Sequence, residues 1–234
     1  MLKSEKVEKI LSKTSYKFDD LCLILEILRG EGGCPWDAEQ THESIRKNFI
    51  EETYEVIEAI DNNDKALLRE ELGDVMLQVV FHTQMEKEVG CFDIDDVAND
   101  VCAKLIHRHP HIFGDVKAET ADEVLTNWEA IKNAEKSRET TYDKLSSIPP
   151  MFPALMRASK VSKKSGEFKN IPIESTSMQV ANIINEIAKN PENISSEKMG
   201  EALFLLSAIS SKCDLDPEEA LFRYTNSFIE KYKE

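Results

Sequence analysis

The chain has 234 residues and a net charge of −15, from 44 acidic against 29 basic side chains, an imbalance that opposes binding to nucleic acid or to an anionic membrane surface. Hydrophobic residues at 41% suffice for a core, while aromatics are sparse at 7% and Gly and Pro number only eight each, which favours helices over a turn-rich all-β fold. No run approaches the roughly 18 apolar residues of a membrane span, the opening MLKSEKVEKI lacks the apolar stretch of a secretory signal, and five scattered cysteines without a C-x-x-C pair read as free thiols in a reducing compartment; a cytoplasmic protein is expected.

Residues 18–29 (FDDLCLILEILR) predict a short apolar helix ending at Gly30, followed by the Gly/Pro turn EGGCPW. Thr41 is expected to cap the next helix, with Ser44 the alternative. From Glu43 to Ile60 the apolar residues Ile45, Phe49, Val56, Ile57 and Ile60 recur at helical spacing. Asp61-Asn62-Asn63-Asp64 break that helix. A longer one is predicted from Lys65 to about Val89, with Leu68, Leu72, Val75, Met76, Val79 and Val80 on its apolar side and Gly90 as its stop. Helices follow over 94–108, ended by His109-Pro110, and over 120–136. Charged residues then give way to SSIPPMFP within 137–153, the best linker in the chain, which divides a domain over 1–140 from another over 150–234. Beyond it, 154–165, 176–189, 197–211 and 217–232 read as helical again. MGEALFLLSAI (199–209) parallels LGDVMLQVVFH (72–82), as internal repetition of a helical unit would give.

Acidic residues form the most informative pattern. Glu51, Glu52 and Glu55 share one helix face, and Glu71 and Asp74 repeat the i,i+3 spacing on the next helix, with Glu70 alongside. A short turn at 61–64 makes the two helices antiparallel neighbours, so the pairs can converge. A solvated face is the ordinary explanation of a Glu-rich helix. Against it, Asp74 lies in LGDVMLQVVF and Glu71 stands directly before it, where chance acids are disfavoured. Gly73 lowers helix stability by about 1 kcal/mol, which suggests close approach by another group. Oxygen ligands alone suit Mg²⁺ or Mn²⁺ rather than zinc.

The pattern E51-E-T-Y-E55, fifteen residues, then E71-L-G-D74 resembles the E-E-x-x-E…E-x-x-D signature of MazG-type nucleoside triphosphate pyrophosphohydrolases. GGCPWDAEQTHESI, LGDVMLQVVFHTQM and KLIHRHPHIFG are also similar to bacterial two-domain MazG proteins, most specifically over 29–114 and faintly after about 170. The resemblance implies an all-α fold of tandem MazG-like domains, a helical bundle completed by homodimerisation, and Mg²⁺ held by Glu52, Glu55, Glu71 and Asp74. The implied reaction is attack of water at the α-phosphorus of a nucleoside triphosphate. Glu51 is then free to orient or deprotonate that water. Lys104 and Arg108 match basic positions that contact nucleotide phosphates in the family, and Lys47, one turn before Glu51, is a weaker candidate. Trp36 and Trp128 are the two tryptophans able to stack on a base, although packing is the commoner role of a lone Trp. His107, His109 and His111 flank Pro110 without a nearby cysteine, which favours a structural corner over a zinc site.

A second signature is expected near 185–201, but that stretch reads N185-E-I-A-K189, a spacer of eight, then K198-M-G-E201. Lysines stand where acids are expected, so residues 150–234 are expected to form a catalytically dead helical domain. Two other functions compete: a related all-α pyrophosphatase acting on dUTP or dUDP, and a helical adaptor whose acids bind a partner or a regulatory nucleotide with little turnover.

Overall fold

The structure, a computed structural model, describes residues 3–136 and 139–233. Thirteen α-helices and no strands occur among the described residues, so the fold is all-α. They form two compact units, residues 1–117 and 118–234. The helix expected over 120–136 thus falls in the second unit.

The first unit comprises α1 (Lys3–Leu11), α2 (Phe18–Arg29), α3 (Pro35–Glu39), α4 (His42–Asp61), α5 (Lys65–Glu88), α6 (Ile94–Arg108) and α7 (Pro110–Phe113). Of the two capping candidates it is Thr41 that caps α4: its hydroxyl accepts from the Ser44 N–H, while the Ser44 hydroxyl accepts from the Thr41 N–H at 2.9 Å, a reciprocal closure of the helix start. At the other end Asn63 takes a left-handed backbone (φ 53°), and the Asp64 carboxylate accepts from the N–H groups of Ala66 and Leu67. Three residues therefore turn the chain back, and α4 and α5 pack as an antiparallel hairpin. Helices α1, α3 and α7 are not legible from periodicity. The last two have five and four residues, and α1 is polar and tied down by Lys6 on Glu26 and Lys3 on the Gly32 carbonyl.

The core joins α2 to the far half of the hairpin: Leu25, Ile45, Val80, Phe81 and Met85, flanked by Leu21, Cys22, Leu28 and Leu77. Arg29 fastens the same end. Its guanidinium bonds both Glu88 oxygens at 2.9 Å and donates to the carbonyls of Asp37 and Gln40, while lying over the Phe81 ring. The half of α5 nearer the turn departs from expectation. Leu72 and Met76 are 49% and 44% exposed; Met76 lines an open groove with Phe18, Leu21 and Ile24 of α2, a cover that leaves this stretch half open.

In the second unit, α8 (Ala121–Glu135), α9 (Thr141–Ser146), α10 (Ala154–Ser165), α11 (Ile173–Lys189), α12 (Ser196–Lys212) and α13 (Pro217–Glu230) follow. Of the expected linker, residues 137 and 138 lie outside the described residues and Thr141–Ser146 form α9. Helix α12 is central, packed by α10 and α11 and burying Ala202, Leu205, Ser207 and Ala208. Glu218 of α13 caps α10 by accepting from the Leu155 and Met156 N–H groups. No helix among the described residues is long and apolar enough to cross a membrane.

Leu25 is 1% exposed at the centre of the first core. Truncation there leaves a cavity where α2, α4 and α5 meet, so Leu25→Ala is expected to destabilise the first unit by about 2–5 kcal/mol, measured as a lowered urea midpoint with unchanged slope.

Candidate metal centre

The hairpin delivers its acids to one place. Glu52 and Glu55 project from α4 and Glu71 from α5, and one carboxylate oxygen from each lies within 4.8 Å of the others. Glu71 is only 8% exposed, Glu52 is half-buried and Glu55 is exposed. Among the described residues, no lysine or arginine forms an ion pair with any of the three.

Proton affinity records this crowding. Burial pushes the Glu71 carboxyl above its ordinary value, helped by the charge of Glu55, a hydrogen bond with Glu55, and the charge of Asp74. Burial likewise raises Glu52, followed by the charges of Asp74 and Glu55. Asp74 thus stands close enough to act on both glutamates but outside the 4.8 Å triplet. Glu51 is exposed and adds to the field at Glu52. Carboxylates in partial burial without a cation are costly. A hard divalent ion is the partner that all-oxygen, all-anionic donors select. The residues present fit such an ion.

The other expected residues are scattered. Lys47 is exposed on α4, and Lys104 is exposed on α6. Arg108, one turn further along α6, is instead 6% exposed, so the two bases do not form one solvent-facing pair. Trp36 on α3 is 59% exposed, an open ring face in the same unit as the acids. Trp128 belongs to α8 in the second unit, with the Lys132 ammonium 4.4 Å from its ring centre. The close approach expected at Gly73 is not found: a Cβ added there meets no atom within 4 Å, since this flank of α5 is open.

Sequence reasoning passed over His42 and His82, which meet across the hairpin. Their positions were a usable signal: each lies about five turns of helix from the 62–64 turn, so an antiparallel hairpin must bring them together. In the second unit α11 and α12 pack together, and the Lys198 ammonium sits 2.5 Å from the Glu186 carboxylate. That hydrogen bond holds Glu186 below its usual range, the opposite of Glu52 and Glu71.

Residues 40–113 match the family described as the MazG nucleotide pyrophosphohydrolase domain. A protein of Thermotoga maritima named nucleoside triphosphate pyrophosphohydrolase/pyrophosphatase MazG is 39% identical over 220 residues, covering 92% of this chain and 84% of that one. The Escherichia coli K12 nucleoside triphosphate pyrophosphohydrolase is 37% identical over 230 residues, covering 93% and 86%. Bacillus subtilis YabN, an uncharacterized protein, is 39% identical over 240 residues, covering 97% of this chain and 48% of its own length.

Glu52 and Glu71 bind protons more tightly folded than unfolded, so without divalent ions their contribution stabilises the fold as pH falls from neutral, is complete below the ordinary glutamate value of 4.5, and is lost as pH rises through the raised folded values. Glu71→Gln removes that repulsion and can donate to Glu55. At pH 7 in EDTA the variant is expected to melt higher than wild type, with the gap closing toward pH 4.5. Added Mg²⁺ is expected to stabilise only the wild type. Equal melting in EDTA across this range would show that the carboxylates do not strain the hairpin.

Proposed function

The chain belongs to the MazG family of nucleotide pyrophosphohydrolases, and on that premise we propose that it hydrolyses nucleoside triphosphates to nucleoside monophosphate and pyrophosphate. The observation that carries the proposal is the convergence of Glu52, Glu55 and Glu71 without a cationic side chain. With Asp74 alongside, these residues would hold Mg²⁺, or Mn²⁺ in its place. When bound, such an ion neutralises phosphate oxygens and makes water more acidic.

The chain's own groups supply the rest. Glu51, exposed beside the cluster, orients the attacking water and accepts its proton. The water oxygen bonds to the α-phosphorus as the bond to the α,β-bridging oxygen breaks, and pyrophosphate leaves. Lys47, Lys104 and Arg108 are the candidates for balancing the phosphate charge. Trp36 is favoured over Trp128 for base stacking, because its exposed ring shares a unit with the acids.

The surface of the same hairpin supports a homodimer. Ile50, Tyr54 and Ile57 form an i, i+4, i+7 stripe on α4, 44–56% exposed, and Leu72 and Met76 add to it from α5; a second copy would cover apolar surface on this scale. The second unit reads as a degenerate repeat, with the Lys198–Glu186 ion pair where ligand acids would otherwise face each other. The composition and the free cysteines suit work in the cytoplasm.

Incubation with a panel of NTPs and dNTPs plus Mg²⁺ is expected to yield NMP and pyrophosphate, with Glu71→Ala lowering turnover by a factor of about 10³ and Glu201→Ala leaving it unchanged. Inorganic phosphate as the sole product refutes attack at the α-phosphorus. Turnover confined to dUTP and dUDP would select the related pyrophosphatase, and none at all the adaptor. Loss of activity in Glu201→Ala would overturn the degenerate second unit.

A further inference from the structure

Away from the acids, α4 and α5 are joined by a second polar contact that the proposed reaction does not use. His42, the first residue of α4, and His82 of α5 meet Nδ1 to Nδ1 at 2.7 Å, with their ring planes within 4° of parallel. The Nε2 of His42 lies 2.7 Å from the Glu86 carboxylate. Phe49 closes one side of the His82 ring, at 6.0 Å between centres.

The geometry allocates the protons. Two ring nitrogens 2.7 Å apart must share one hydrogen. An ionised Glu86 accepts from His42 Nε2–H, so in the neutral chain His42 Nδ1 is the acceptor and His82 Nδ1–H donates. Glu43 follows His42 on α4, and the Cys91 thiol after α5 is pushed up by its hydrogen bond to Glu86. On the α2 side, Arg29 is engaged by Glu88. Burial, with His42 second, lowers the proton affinity of His82, in keeping with a bridge that holds while the pair is neutral.

The bridge lies too far along the helix to touch anything at the acids. His82 is eight residues beyond Asp74, about 12 Å at 1.5 Å per residue. It must act through the helices. The carboxylates repel one another across the hairpin, the 62–64 turn joins the helices on one side of them, and the histidine bridge joins them on the other. We infer that Glu86, His42 and His82 are positioning residues that fix the register of α4 against α5, and thereby the spacing of Glu52 and Glu55 from Glu71. This rests on the divalent-ion reading of the acids. A single added proton can sit on His82 Nε2 and leave the bridge intact, but when both rings are charged both Nδ1 atoms are donors and the bridge breaks, so the metal site should loosen as the second histidine charges.

The test is Mg²⁺ affinity of the full chain, by calorimetry from pH 8 to 5.5, for wild type, His82→Gln and His82→Phe. Gln donates to His42 without titrating. It is expected to match wild-type affinity within about twofold at pH 8, and to keep that affinity to lower pH. Phe cannot donate and is expected to bind about tenfold more weakly throughout, as loss of a supporting partner commonly does. Protonation of the glutamates is common to wild type and His82→Gln, so their difference isolates the histidine. Wild-type affinity and pH dependence in His82→Phe would overturn the inference, as would His82→Gln weakened as much as Phe. If the Phe variant fails to fold, an unshifted acid limb in His82→Gln overturns it alone. A wild type that binds no Mg²⁺ refutes the proposed site itself, and the inference with it.

Discussion

Carboxylates pressed together without a counter-charge impose the main constraint on the first unit. Glu52, Glu55 and Glu71 would separate if their helices were independent. They stay together because a three-residue turn, a hydrophobic core and the Arg29 clamp all fasten the α4–α5 hairpin. The core sits at the end away from the turn, built from Leu25, Ile45, Val80 and Phe81, so apolar packing opposes a repulsion located elsewhere along the same helices. The packing that stabilises the unit and the acids that strain it thereby occupy different lengths of one hairpin.

That division accounts for the odd surface of the turn-proximal half. Leu72 on α5 and Ile50, Tyr54 and Ile57 on α4 remain open, while Met76 is only half covered where it meets Phe18, Leu21 and Ile24 of α2. The acids share this region. A partner arriving on the apolar stripe would dock beside the acids, so assembly and the proposed chemistry would draw on adjacent surface.

Much of this was legible in the sequence, for identifiable reasons. Helices α4 and α5 announce themselves through apolar periodicity, the Thr41 cap and the Asn63-Asp64 break, all local signals. The acids were legible because i,i+3 spacing on two consecutive helices needs only an antiparallel turn to converge. What was missed depends on tertiary partners. The open flank at Gly73 and the exposure of Leu72 reflect where α2 ends, which no local pattern encodes. The burial of Arg108 also depends on packing rather than spacing, since its helix face looks like an ordinary basic terminus. The His42–His82 bridge is recoverable in principle from hairpin symmetry, but two histidines 40 residues apart carry no local pattern.

The Lys198–Glu186 pair gives the second unit a cation that is written into its gene. Its charge balance is settled at synthesis and does not vary with the surroundings. The acids of the first unit have no such built-in partner, and if a divalent ion from solution fills that role, their electrostatic state would follow its supply. On that reading the two hairpins of one chain would differ in what they can sense: one would be indifferent to the divalent-ion content of its medium, and the other would register it in the tightness of its fold.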